Sequence, residues 1–161
     1  MNSPSLAPLV GAHPDALRAI FAKGRAADPA ELGDHPHGRL LAFGEGEGVF
    51  LALRPIVRVV SHSLLPWEGK TFDHGGNSGK SVILGRQVFR FHAEVAASAL
   101  DGQPALVLSH AEPAHKNPWP VRAIVEELRA VGDGVAIGPV WLRGASASPR
   151  LLCWFGLEAR T

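Results

Sequence analysis

Lysine, histidine, glutamate and arginine stand in this chain at positions where acid/base or anion-binding chemistry is conceivable. In Trp67-Glu68-Gly69-Lys70-Thr71-Phe72-Asp73, the period of two expected of a strand puts Lys70 and Phe72 on one face and Thr71 and Asp73 on the other. Lys70 is suited to an anionic head group, although a strand-end lysine is ordinarily solvated. His92 and His110 each sit on the face opposite their apolar neighbours. If that face lines an interior they can exchange a proton near neutral pH, and if it faces water they are ordinary surface residues. Arg90 and Glu94 flank His92, which favours the surface there, while His110 stays open. Glu126 is a second acid/base candidate. Arg129, three residues on, is suited to holding a carboxylate in bidentate fashion or to a plain Glu126–Arg129 helix pair.

Other candidates are weaker. Asn77, in the turn Asp73-His74-Gly75-Gly76-Asn77, can bond backbone or ligand, with a turn role the simpler assignment. Trp67, Phe72 and Trp141 supply apolar wall for a pocket. The eight histidines offer no zinc-like spacing and no cysteine partner, so no metal site and no cofactor is expected. Gly44-Glu45-Gly46-Glu47-Gly48 imitates a phosphate loop, but its carboxylates repel phosphate and no Gly-Lys-Ser/Thr follows. It reads as a turn.

The elements that must position these groups are mostly strands. Arg39–Phe43, Gly69–Asp73, Lys80–Leu84, Arg86–Ala96, Pro104–His110, Val135–Leu142 and Leu151–Glu158 are short apolar or alternating runs bounded by turn formers. In Arg86–Ala96, Phe89, Phe91, Ala93 and Val95 share one face and Arg90, His92 and Glu94 the other, as in a half-buried antiparallel strand. Asp101-Gly102 marks a hairpin turn. A helix is predicted from Pro14 to near Gly24 after a loose tail over residues 1–12. A second is predicted near 118–131, with Asn117 as cap and Val121, Ile124, Val125, Leu128 and Val131 as its inward stripe. Between Gly48 and Leu64 helix and strand both fit, and the helix, kinked or started by Pro55, is favoured. The whole is one domain, 1–161, of mainly β class: a small antiparallel barrel of seven to eight strands over 38–158, with an N-terminal and an inserted helix.

Two of these segments resemble a known family. Trp67 to Asp73 is similar to the Trp-x-Gly-Lys-x-Phe-Asp element of bacterial GXWXG-type proteins. Glu126-Glu127-Leu128-Arg129 through Ile137-Gly138 is similar to a segment of the uncharacterised domain that accompanies it. The signature's first glycine is kept as Gly38, while Leu40 and Ala42 replace its tryptophan and second glycine. The resemblance implies a calycin-like barrel and brings no catalytic residues with it.

Composition narrows the function classes. Sixteen basic and fifteen acidic residues are interspersed, for a formal charge of +1, so neither a nucleic-acid footprint nor a polybasic anchor is expected. Arg54, Pro55, Arg58 and His62 interrupt the apolar stretch Val49–Leu65, which argues against a membrane span. A single cysteine and no basic-then-apolar leader point to the cytoplasm. Two functions remain in front. One is a barrel that binds a small apolar or amphiphilic ligand. The other is a pocket enzyme, a cyclase, isomerase or hydrolase, working through His110 or Glu126, and a purely interaction-based role stands behind both.

Overall fold

The computed structural model describes residues 5–44, 67–144 and 148–160. The segment for which a kinked helix is favoured, and most of the Gly44–Gly48 turn, lie outside them. Helix α1 (Pro14–Lys23) starts where the sequence places it: Pro14 occupies the first turn, and the His13 side chain accepts a hydrogen bond from the Asp15 amide. Strand β1 (Arg25–Ala26) and the single turn α2 (Pro29–Leu32), capped by Asp28, follow. Then come β2 (His37–Phe43), β3 (Trp67–Phe72), β4 (Ser78–Ile83), β5 (Arg86–Ala97), β6 (Pro104–Ser109), β7 (Ile124–Gly132), β8 (Val135–Leu142) and β9 (Arg150–Glu158).

All pairings are antiparallel. The order β7-β6-β5-β4-β3-β2-β9-β8 returns on itself through a β7–β8 ladder, so eight strands close a barrel and β1 extends one flank of β7. Closure leaves no long unpaired edge, the liability that short alternating strands otherwise carry. Inside, Phe72, Phe91, Ala93, Leu106, Leu108, Leu128, Val140, Phe155 and Leu157 form one apolar cluster. Outside, α1 and the segment before it cover β8, β9 and β2 through Leu6, Leu17, Phe21, Ile137 and Trp154.

Three expectations need correction. Residues 118–131 are not a helix: a 3-10 turn at Val121–Ala123 leads straight into β7. Val125 to Arg129 are all buried, because β7 has the barrel interior on one side and covering chain on the other. A strand buried on both faces shows no apolar/polar alternation, and its β-branched Ile124, Val125 and Val131, with Val121 of the turn before it, fall at helical spacing. The loose tail is also revised: Leu6 is fully buried, and its amide donates to Glu158 Oε2 at 2.9 Å. In β5, Phe91 and Ala93 are buried and His92 and Glu94 exposed as the alternation requires, but Val95 is 62% exposed.

Candidate functional site

Lys70 on β3 and Glu126 on β7 stand four places apart in the strand order whichever way round the barrel is followed. They are diametrically opposed, yet Lys70 Nζ lies 2.7 Å from Glu126 Oε2. Only side chains crossing the interior meet in this way. The Lys70 side chain is fully buried and Glu126 nearly so. A second donor contact runs from Lys70 Nζ to Ser81 Oγ on the neighbouring strand β4, at 3.2 Å.

The wall around this pair is aromatic. Lys70 Nζ lies 4.8 Å from the Phe91 ring centroid and 5.9 Å from those of Trp67 and Phe155, within reach of cation–π attraction. Trp67 meets Phe155 edge-on at 5.8 Å, and Phe72 meets Phe91 at 5.7 Å. Glycine makes room for these rings. A Cβ on Gly38 would lie 2.4 Å from the Trp67 ring, and one on Gly79 would lie 2.6 Å from Phe91 and 1.9 Å from the Thr71 carbonyl oxygen. Neither position tolerates a side chain while the rings keep these places.

His110 completes the cluster from the loop after β6. It is buried, its ring meets Phe91 edge-on at 5.8 Å, and Nε2 lies 3.9 Å from Glu126 Oε2. Nδ1 faces the Ile124 carbonyl oxygen at 3.3 Å. A carbonyl only accepts, so Nδ1 carries the proton and Nε2 of the neutral ring presents a lone pair. Burial holds His110 below the ordinary histidine value, against the opposing pull of Glu126. Cys153, opposite Val140 on the β8–β9 ladder, is pushed up to about 12 by desolvation, with Glu126 adding to it. It is a thiol at neutral pH and a poor nucleophile.

Glu126 Oε2 takes the Lys70 ammonium at 2.7 Å, off the best hydrogen-bond angle, and no other group among the described residues donates to it. The interior thus holds a donor, an acceptor with unused capacity and an imidazole lone pair, enclosed by rings. Among the described residues no three His, Cys, Asp or Glu side chains are grouped to hold a metal ion.

Of the residues singled out in the sequence, Trp67, Lys70, Phe72, His110 and Glu126 come together here. Three do not. Asn77 is exposed in the β3–β4 turn at the opposite end of β3 from Trp67, and its carbonyl accepts from the Ala93 amide. Trp141 pairs with Val125, one residue out of phase with Glu126, so it shares the outer face of the barrel. Arg129 also points outward. Its guanidinium grips Asp101 in bidentate fashion at 2.7 and 2.8 Å, donates to the carbonyls of Phe21, Pro104 and Gln103, and lies 4.3 Å from the Phe21 ring centroid. The helix pair Glu126–Arg129 does not exist, since strand geometry sends the two side chains to opposite faces. Neighbouring Glu127 shares the outer face with Arg129 and accepts from Ser98 Oγ and the Ala99 amide. His92 is on the surface beside Glu94.

Ser81, Phe155 and Cys153 were missed in the sequence. Ser81 keeps step with Gly79 on β4, and Cys153 and Phe155 with Leu157 on β9, but no chemical motif marked them, and the bulges that insert Phe89 in β5 and Leu152 in β9 shift the inside–outside phase beside them without a sequence marker. Phe91 was readable as an inward residue from its alternating run.

No family model and no curated protein sequence matches this chain. A crystal structure of a protein from Thermomonospora curvata is similar to it, with a TM-score of 0.55 and 14% identity over 97% of this chain and 93% of that one. At that identity the likeness is one of fold.

Proposed function

We propose that the barrel binds one small amphiphilic molecule, its polar group at Lys70, Glu126 and His110 and its apolar part against Trp67, Phe91 and Phe155. The observation that carries this reading is the ion pair spanning the interior. Two charges in an apolar barrel are expensive to desolvate, and an apolar pair of like volume would serve stability as well or better. Such a pair is well suited to a ligand group that both donates and accepts. Since Lys70 already has a counter-charge, a neutral polar head fits better than a permanent anion. The two segments that resemble GXWXG-type proteins and their accompanying domain contribute Trp67 and Lys70 on one side and Glu126 on the other, which supports assigning the chain to that family.

A second reading has one observation in its favour. His110 Nε2, a neutral base beside Glu126, is equipped to move a proton on a bound substrate, as an isomerase or cyclase requires.

Native mass spectrometry of the protein purified from its own host is the test. A co-purified small molecule is expected in the wild type and absent from a Lys70→Met, Glu126→Gln variant of unchanged circular dichroism. A wild-type protein that carries nothing, and takes up no fluorescent medium-chain alcohol or amide, would count against binding. Conversion of the bound molecule that His110→Gln abolishes would favour the enzyme.

A further inference from the structure

Charges interspersed along the sequence are segregated by the fold. The β4–β5 hairpin, the β6–β7 loop and the β8–β9 loop all emerge at one end of the barrel. The second and third are tied together by a hydrogen bond from the Arg143 amide to the Ala123 carbonyl at 2.9 Å. The β6–β7 loop is also fastened to β5, because the Asn117 side-chain amide donates to the carbonyls of Arg90 and His110 at 2.7 and 3.0 Å. These ties make one continuous face that carries Arg90, Lys116, Arg122, Arg143 and Arg150, all exposed. None of the five forms a salt bridge among the described residues. Among the described residues the acidic ones there are Glu112 and Glu68, the latter already accepting from the Gly85 amide. The opposite end carries Asp28, Asp34, Asp73 and Asp133 in its turns.

Among these cations stands Trp119, 66% exposed, and at the hairpin tip Leu84, 62% exposed beside Arg86. An exposed indole costs stability unless something covers it, and its amphipathic ring suits the head-group layer of a bilayer. Unpaired arginines and lysines around it suit anionic lipid, at a gain for each cation near the surface. A nucleic acid would also meet the cations, but Leu84 offers no ring for a base to stack on.

We propose that this end of the barrel docks peripherally on anionic lipid bilayers, with Trp119 and Leu84 entering the head-group region and the flanking arginines and Lys116 contacting lipid phosphates. The proposal stands on the surface alone and is independent of what the interior binds.

Vesicle flotation tests it, using phosphatidylcholine alone and phosphatidylcholine mixed with phosphatidylglycerol. The protein is expected to float with the mixed vesicles, to stay behind with phosphatidylcholine, and to be released by salt. Reversing Arg122 and Arg143 to Glu should weaken partitioning by more than about tenfold. Neither side chain has a hydrogen-bond or ion-pair partner among the described residues to lose, so the fold should survive, as circular dichroism would verify. Trp119→Ser should lower partitioning while leaving the salt dependence in place. Absence of flotation at low salt would overturn the proposal. So would equal partitioning of the charge-reversed variant, or binding to duplex DNA that displaces the protein from the vesicles.

Discussion

Among the described residues two long cations are buried, and they live in opposite circumstances. Arg129, on the outer face of β7, has its donors distributed over Asp101 and the Phe21, Pro104 and Gln103 carbonyls, with a ring stacked near it. Lys70, inside, has Ser81 and one carboxylate oxygen to which no other group among the described residues donates. The first cluster ties together the loop before β6, the end of α1 and β7, and it leaves nothing over for a ligand. The second ties little together and leaves hydrogen-bonding capacity among aromatic rings. Buried charge alone therefore does not distinguish the two clusters; the unspent capacity beside Lys70 does, and it is the observation on which the proposed ligand site rests.

The contrast is broken most sharply at Arg129. Arg129→Ala strands three carbonyls and unpairs Asp101, whose carboxyl is held below its usual range chiefly by the arginine's hydrogen bonds. A loss of about 3–5 kcal/mol is expected, read as a lower urea midpoint. Leu128, one residue earlier, faces the interior and is fully buried. Leu128→Ala should cost about 2–5 kcal/mol, and an unchanged melting curve would refute its placement. The Lys70→Met, Glu126→Gln double variant should change stability by less than about 1 kcal/mol in either direction. A loss as large as that of Arg129→Ala would mean that the interior pair is a structural brace after all.

The smallest effect is on pH dependence. His110 is held below the ordinary histidine value in the folded protein by burial, so on acidification the unfolded chain takes up a proton first. Its contribution is present at neutral pH and is lost as pH falls below about 6.5 toward the folded-state value. Asp101 and Glu158 are lowered carboxylates, whose contributions are lost only at more acidic pH. Urea midpoints compared between neutral pH and pH about 5.5 should therefore fall in the wild type and fall less in His110→Gln. Equal slopes would place the proton uptake elsewhere.

β5 was legible from the contrast between its faces, and β8 and β9, largely buried on both, from short apolar runs bounded by turn residues; all three begin and end close to where those signals set them. β7 was not, because it has neither signal: its faces show no contrast, and the charged Glu126, Glu127 and Arg129, all buried, interrupt its apolar run. Its Glu-Glu-x-Arg run reads as a solvated helix flank until the partners on β3 and in the β5–β6 turn are known. Lys70 was readable as inward by its phase with Phe72. Its counter-ion was not, since the two are joined only by barrel closure.

That closure has a consequence for how the chain is made. Strand β9 lies between β2 and β8, so the ladder cannot be sealed until β9 has left the ribosome. Until then β2 and β8 present bare hydrogen-bonding edges, and the inner face with its rings is open to water and to other chains. Contacts of such long sequence separation, among them the bond from the Leu6 amide to Glu158, form slowly because the loop must close before they contribute. A ribosome stalled before β9 should hold a sticky, unsealed half-cylinder that chaperones bind, and emergence of β9 should end that binding.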